Sequence, residues 1–196
     1  MENGRIAIYS SSSERIPKAY FQAAKELCLA LAARGWSMVY GGGTLGLMGE
    51  CARTLHAQGA AIYGVIPEAL NLPGVVYEHC TSLTVTKTMG ERKKRMEDMA
   101  DAFVALPGGF GTLEELLEVI TLKQLGYHEK PIVLLDVDGF FEPLLAQFVR
   151  SMDEGFARKD SSSLYFVAKN GAQALEYLDS YRPERFVPKW KEQAEL

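Results

Sequence analysis

Short segments rich in β-branched and aromatic residues alternate with longer stretches whose apolar residues recur every three or four positions. The alternation runs through nearly the whole chain. Strands at residues 5–9, 37–40, 61–66, 102–106, 131–135 and 164–167 are each separated by a helical pattern, with a further strand at 82–86. Connections of that length join parallel strands by right-handed crossovers. Segments 62–66 and 132–135 are apolar on both faces, as in a sheet covered on both sides. The expected fold is therefore α/β: a doubly wound, Rossmann-like three-layer sandwich with a central parallel sheet. Its ligands should gather at the carboxyl ends of the strands, where the strand order reverses.

Punctuation supports this reading. Pro17 opens a helix that runs to residue 34, and Gly35 ends it in a left-handed conformation. Helices are expected up to Gly59, over 88–100, 113–125 (ended by Gly126), 141–154 (ended by Gly155) and 172–178. Residues 1–180 read as one catalytic domain and 181–196 as a C-terminal arm. With 196 residues and 47% apolar composition, the chain has ample material for a core, which excludes global disorder. A formal charge of −4 argues against nucleic acid as a partner. No apolar run approaches the roughly 20 residues of a membrane span, and the N-terminus lacks a signal-peptide pattern. Cys28, Cys51 and Cys80 form no CxxC pair, which suggests reduced thiols and a cytoplasmic protein. His56, His79 and His128 are too scattered in sequence for a metal site, and no metal or cofactor is expected. Trp36, Trp190, Phe140 and Phe141 read as packing groups.

Three loops after strands carry the chemistry. Ser10-Ser11-Ser12-Ser13 offers hydroxyls and amides to an anion, or is a solvated turn with a spare cap. Gly41-Gly42-Gly43-Thr44-Leu45-Gly46 fits G-x-G-x-x-G, with Glu68 near the place of a ribose-binding acid; a tight turn explains it equally. It lacks the Gly-Lys-Ser/Thr ending of a P-loop. The third, Pro107-Gly108-Gly109-Phe110-Gly111-Thr112-Leu113-Glu114-Glu115, presents amides at a helix N-terminus, an arrangement suited to phosphate. A Thr112–Glu115 capping box accounts for those two residues but not for the three glycines. Upstream, Arg92-Lys93-Lys94-Arg95 is a basic cluster diluted by Glu91, Glu97 and Asp98. Arg92 shares a helical face with Arg95, Met96 and Met99, so its fork of donors can reach inward.

Taken together, these blocks resemble the LOG (Lonely Guy) family of cytokinin riboside 5′-monophosphate phosphoribohydrolases, formerly labelled "lysine decarboxylase". The resemblance runs from Ile6 to about Leu178. The hallmark P-G-G-x-G-T-x-x-E is Pro107 through Glu115, and Y-G-G-G-x-x-G-L-M-G is Tyr40 through Gly49. The arginine motif M-H-x-R-K stands as Met89-Gly90-Glu91-Arg92-Lys93, with glycine in place of histidine. Ser10-Ser11-Ser12-Ser13 replaces the usual Cys-Gly-Ser-Ser, and residues 68–87 match poorly.

The resemblance implies a homodimeric hydrolase that cleaves the N-glycosidic bond of nucleoside 5′-monophosphates, AMP among them. It implies Arg92 and Glu115 as catalytic residues. Substrate contacts would fall on Arg92, Lys93, Gly108, Gly109, Phe110, Gly111, Thr112, Leu113, Glu114, Glu115 and Thr121. Glu115, near a positive helix end, is expected to be ionised. The main alternative is a non-catalytic carrier of a nucleotide or phosphorylated cofactor on the same fold. An NAD-linked oxidoreductase gives the second glycine loop no role, and no lysine has a context suggesting a Schiff base to pyridoxal phosphate.

Overall fold

The computed structural model describes residues 4–184 and residue 186. Seven strands, β1 (Arg5–Tyr9), β2 (Ser37–Tyr40), β3 (Ile62–Pro67), β4 (Ser82–Thr86), β5 (Ala102–Ala105), β6 (Ile132–Leu135) and β7 (Phe166–Ala168), form one sheet. Its order is β4-β3-β2-β1-β5-β6-β7, with every neighbouring pair parallel. The order reverses between β1 and β5, so the loops leaving those two strands flank the crevice expected to hold ligand.

Six α-helices complete the layers: α1 (Lys18–Ala33), α2 (Gly46–Ala57), α3 (Met89–Met99), α4 (Phe110–Gln124), α5 (Glu142–Asp153) and α6 (Gly171–Ser180). Alternation along β1 shows how the two faces are served. Ile6 and Ile8 join Leu27 and Leu31 of α1, Leu55 of α2 and Leu178 of α6. Ala7 and Tyr9 point the other way, to Met96 of α3 and to Leu116 and Val119 of α4. Both faces of the central strands are buried, which is why their sequences are continuously apolar.

The expected boundaries hold to within a residue or two for most elements, and Gly35, Gly59, Gly126 and Gly155 all adopt positive φ just past helix ends. Two differ for physical reasons. The last strand is Phe166–Ala168 rather than 164–167, because Leu164 is buried at the end of a 3-10 segment, Lys159–Leu164. Helix α4 starts at Phe110, three residues before the expected 113, with Gly109 as its cap residue. The capping box therefore does not form: Thr112 lies inside the first turn, packed over Gly108. A Cβ on Gly108 would come within 2.1 Å of the Thr112 hydroxyl. A side-chain cap appears instead on α3, where the Thr88 hydroxyl accepts from the Glu91 N–H at 3.1 Å. The Glu91 carboxylate accepts from the Lys87 N–H at 2.9 Å. The signature Thr88-x-x-Glu91 was present in the sequence.

Tyr181, at the start of the expected arm, packs back against the fold, its hydroxyl donating to the Glu129 carbonyl at 2.7 Å. Trp190 and the rest of the segment beyond Phe186 lie outside the described residues. Trp36 and Phe141 are buried core groups, and Phe140 makes edge contacts with Tyr20 and Phe141. His56 and His79, far apart in sequence, meet around Tyr77 with ring centroids 5.6 Å apart.

Candidate active site

Five stretches converge at the carboxyl edge of the sheet on a cleft of about 620 Å³. The serine turn after β1, the glycine loop after β2, the end of β3 with the segment beyond it, the start of α3 and the start of α4 line it. Gly46 shows why the glycine loop has its composition. It adopts φ +59°, and a Cβ there would lie 2.5 Å from the Ser12 carbonyl carbon. Only glycine lets α2 begin against the serine turn, where the Met48 N–H donates to the Ser11 carbonyl at 3.3 Å.

At the floor, Arg92 and Glu115 meet. Arg92 leaves the first turn of α3, is 8% exposed, and donates through Nη1 to Glu115 Oε1 at 2.6 Å. Its Nε donates to the Val65 carbonyl at 3.1 Å, so two separate acceptors fix the guanidinium plane. Glu115, on the second turn of α4 and also 8% exposed, holds its carboxylate in the cleft wall. Burial pushes its pKa above the usual carboxylate range, and the neighbouring Arg92 charge offsets only part of that. Glu115 is not a cap, because its partner is a guanidinium across the cleft.

Gly41 is the third member of this arrangement. A Cβ on it would sit 2.1 Å from Arg92 Nη2, so the guanidinium occupies the space that a side chain would take. Gly41→Ala is expected to displace Arg92 from Glu115 and lower kcat about 10- to 100-fold. Tm should fall as well, because the displaced guanidinium leaves the buried Glu115 carboxylate without its ion partner; steady-state kinetics with a thermal melt checks both.

Helix α4 opens onto the cleft with no side chain over its first turn, since Gly109 is the cap residue. Of the first-turn amides, those of Phe110, Gly111 and Thr112 precede the first intrahelical bond, in which the Leu113 N–H donates to the Gly109 carbonyl. Nothing lies within 4 Å of where Cβ atoms of Gly109 or Gly111 would stand, so an anion can approach the backbone closely. Ser10 adds a buried hydroxyl without a hydrogen-bond partner among the described residues. The cleft also carries apolar lining from Leu45, Met48, Ile66, Leu70, Val75 and Met89.

Most of the residues proposed from sequence meet here: Arg92, Gly109, Phe110, Gly111, Thr112, Glu114 and Glu115 line the cleft. Four do not. Gly108 lies beneath Thr112. Lys93 points outward to Glu114 and, at 2.8 Å, to Glu118. Leu113 and Thr121 line a shallow hollow on the outer side of α4, where the Thr121 hydroxyl donates to the Leu117 carbonyl at 2.7 Å. Glu68 is exposed in a 3-10 turn and is not part of the lining, and Arg95 is exposed rather than inward. The contribution of Leu70 and Val75 was not foreseen, because residues 68–87 carry little periodic signal and come next to the glycine loop through the bridge pairing Gly43 with Val76.

The fold and cleft define an α/β protein with an open helix N-terminus beside a buried acid–arginine pair. The chain belongs to the LOG family: the family described as "Possible lysine decarboxylase" matches residues 48–178. It is 42% identical to cytokinin riboside 5′-monophosphate phosphoribohydrolase LOG2 of Arabidopsis thaliana, over 94% of this chain and 88% of that protein. It is 43% identical to the phosphoribohydrolase LOG of Oryza sativa subsp. japonica, over 92% of this chain and 74% of that one. Among solved structures, the molybdenum cofactor carrier protein of Chlamydomonas reinhardtii superposes with a TM-score of 0.68 at 24% identity, covering 91% of this chain and 97% of that chain. The molybdenum cofactor binding protein of Rippkaea orientalis gives 0.70 at 20%, covering 92% and 98%. Those two likenesses establish the shared fold.

Proposed function

We propose that the protein hydrolyses the N-glycosidic bond of nucleoside 5′-monophosphates, including cytokinin nucleotides and AMP, to free base and ribose 5-phosphate. The observation that carries this reading is the buried Arg92–Glu115 pair set in the same cleft as the open first turn of α4. The 5′-phosphate takes the amides of Phe110, Gly111 and Thr112 and places the anomeric carbon against Glu115. As the bond from C1′ to the base breaks, the electron pair leaves with the base and the ribose ring gains oxocarbenium character. The Glu115 carboxylate stabilises that charge and takes a proton from the water whose oxygen bonds to C1′. Arg92 holds the carboxylate in place and binds substrate oxygens. Binding energy from the phosphate is used for positioning the sugar. The relatives' printed activity agrees with this chemistry.

Incubation with AMP and with isopentenyladenosine monophosphate, followed by chromatography for released base, tests the reading directly. Release of base supports it. Tight nucleotide binding without any turnover favours the carrier alternative, which uses the phosphate cradle but gives the Glu115 carboxylate no task.

The protein is further proposed to act as a homodimer in the cytoplasm. The described cysteines are free thiols, and no helix among the described residues is long and apolar enough to cross a membrane. Helix α5 has no fully buried residue although it is amphipathic, and Phe110 stands 93% exposed at the start of α4. Between the two helices runs a groove lined by Leu117, Ile120, Phe148 and Met152, a face suited to a second copy. Thr121 lies on that face, so its proposed substrate contact is made across the dimer. Leu117→Asp is expected to give monomers by light scattering, with activity reduced at least tenfold. A parent protein that is already monomeric at micromolar concentration rejects the arrangement.

A further inference from the structure

Buried ammonium groups are ordinarily hydrogen-bonded. Lys123, on the last turn of α4, is 3% exposed, and its Nζ has no hydrogen-bond partner among the described residues. The Tyr181 ring centroid lies 5.0 Å from that nitrogen. The lysine lines a half-open cavity of about 650 Å³ between α4, the 3-10 segment Lys159–Leu164, α6 and the described residues that follow α6. Along α4 this cavity lies roughly 16 Å from Thr112, at the opposite end of the helix from the cleft.

We infer that this cavity is a binding site for a small monocarboxylate with an apolar body, held through Lys123 Nζ. Leu164, Tyr177, Tyr181 and Phe186 supply apolar and aromatic wall. The other charged groups facing it are Arg158, Asp160, Arg182 and Glu184. Arg158 and Asp160 are paired, with Nε to Oδ1 at 2.9 Å, and Arg158 also lies over the Phe186 ring at 4.9 Å. Three cationic groups against two carboxylates leave one net positive charge, which matches a single negative charge better than the double charge of a phosphate. The volume exceeds that of a bare ion, which is why the ligand has a body to lie against the rings. Burial pushes the Lys123 pKa down to about 8, with Glu184 offsetting part of the effect, as for a cation whose counter-ion arrives from outside. The inference is independent of the function proposed for the cleft.

Benzoate is the probe and benzamide its neutral counterpart, measured by saturation-transfer NMR titration at pH 7 on the whole protein. Benzoate is expected to bind saturably and benzamide not. Lys123→Met should weaken benzoate about tenfold or more, while Lys123→Arg should keep much of the affinity. Glu115→Gln should leave it unchanged, since the binding lies outside the cleft. Equal binding by parent and K123M, or by benzoate and benzamide, overturns the site. A fold control comes with it. Because the folded-state pKa of Lys123 is lowered, its charge weighs on the native state below about pH 8, and that cost fades as pH rises towards 10.5. K123M should therefore melt higher than the parent at pH 7. A lower Tm would show that the ammonium has a partner and would also overturn the proposal.

Discussion

Glu115→Gln is expected to lower kcat for base release from AMP by about a thousandfold, with KM changed only a few-fold. The substitution keeps the shape of the side chain and one acceptor for Arg92 Nη1, now 2.6 Å from Glu115 Oε1. It removes the negative charge that faces the sugar and the site that receives the proton of water. Phosphate binding depends on the amides of α4, so nucleotide affinity should persist. Isothermal titration with AMP beside single-turnover kinetics checks both halves. Turnover within tenfold of the parent would take Glu115 out of the mechanism. In the parent enzyme the acid limb of kcat should lie above the carboxylate's ordinary 4.5, because burial raises the Glu115 pKa more than Arg92 lowers it. The base form is lost as pH falls through that raised value, and E115Q should lack this limb.

Arg92→Ala should damage both activity and stability. Removing the guanidinium leaves a buried carboxylate without its ion partner and the Val65 carbonyl without its donor. Breaking a buried pair from one side costs about 3–5 kcal/mol, which for a chain of this size lowers Tm by roughly 6–20 °C. Activity should fall by about a hundredfold or more, since Glu115 loses the group that orients it. Whatever activity survives should show its acid limb at still higher pH, because the largest influence lowering the Glu115 pKa is gone. Arg92→Lys keeps a charge but not the fork, and should recover stability more than rate. A drop in Tm with unchanged kcat would make Arg92 a purely structural residue.

The groups that control these outcomes were visible in the sequence to different degrees. Arg92 was legible as an inward-facing cation from its place on the apolar side of α3, and the glycines before Thr112 marked an open helix end. Glu115 was singled out as the motif glutamate of the family resemblance, with a capping box as its local alternative, and the structure replaces that cap with a pairing across 23 positions. Gly41 looked like one glycine of a generic turn. That it makes room for Arg92 Nη2 follows only from the packing of α3 over β2 and β3. Thr121 shares the helix of Glu115 but looks away from the cleft, since six positions advance a helix by 600° and leave the two about 120° apart.

From sequence alone came the seven strand positions, the parallel sheet and the location of ligand chemistry at strand carboxyl ends. Those features depend on periodicity and turn chemistry within a few neighbouring residues, which any reader of the chain can see. Tertiary structure alone decided that Glu115 and Arg92 are buried together, that Met48, Leu70, Val75 and Met89 line the cleft, and that Lys123 is buried with no hydrogen-bond partner among the described residues. Each of these depends on groups distant in the chain being pressed together with water excluded, and neither distance nor desolvation is encoded in any short stretch of residues.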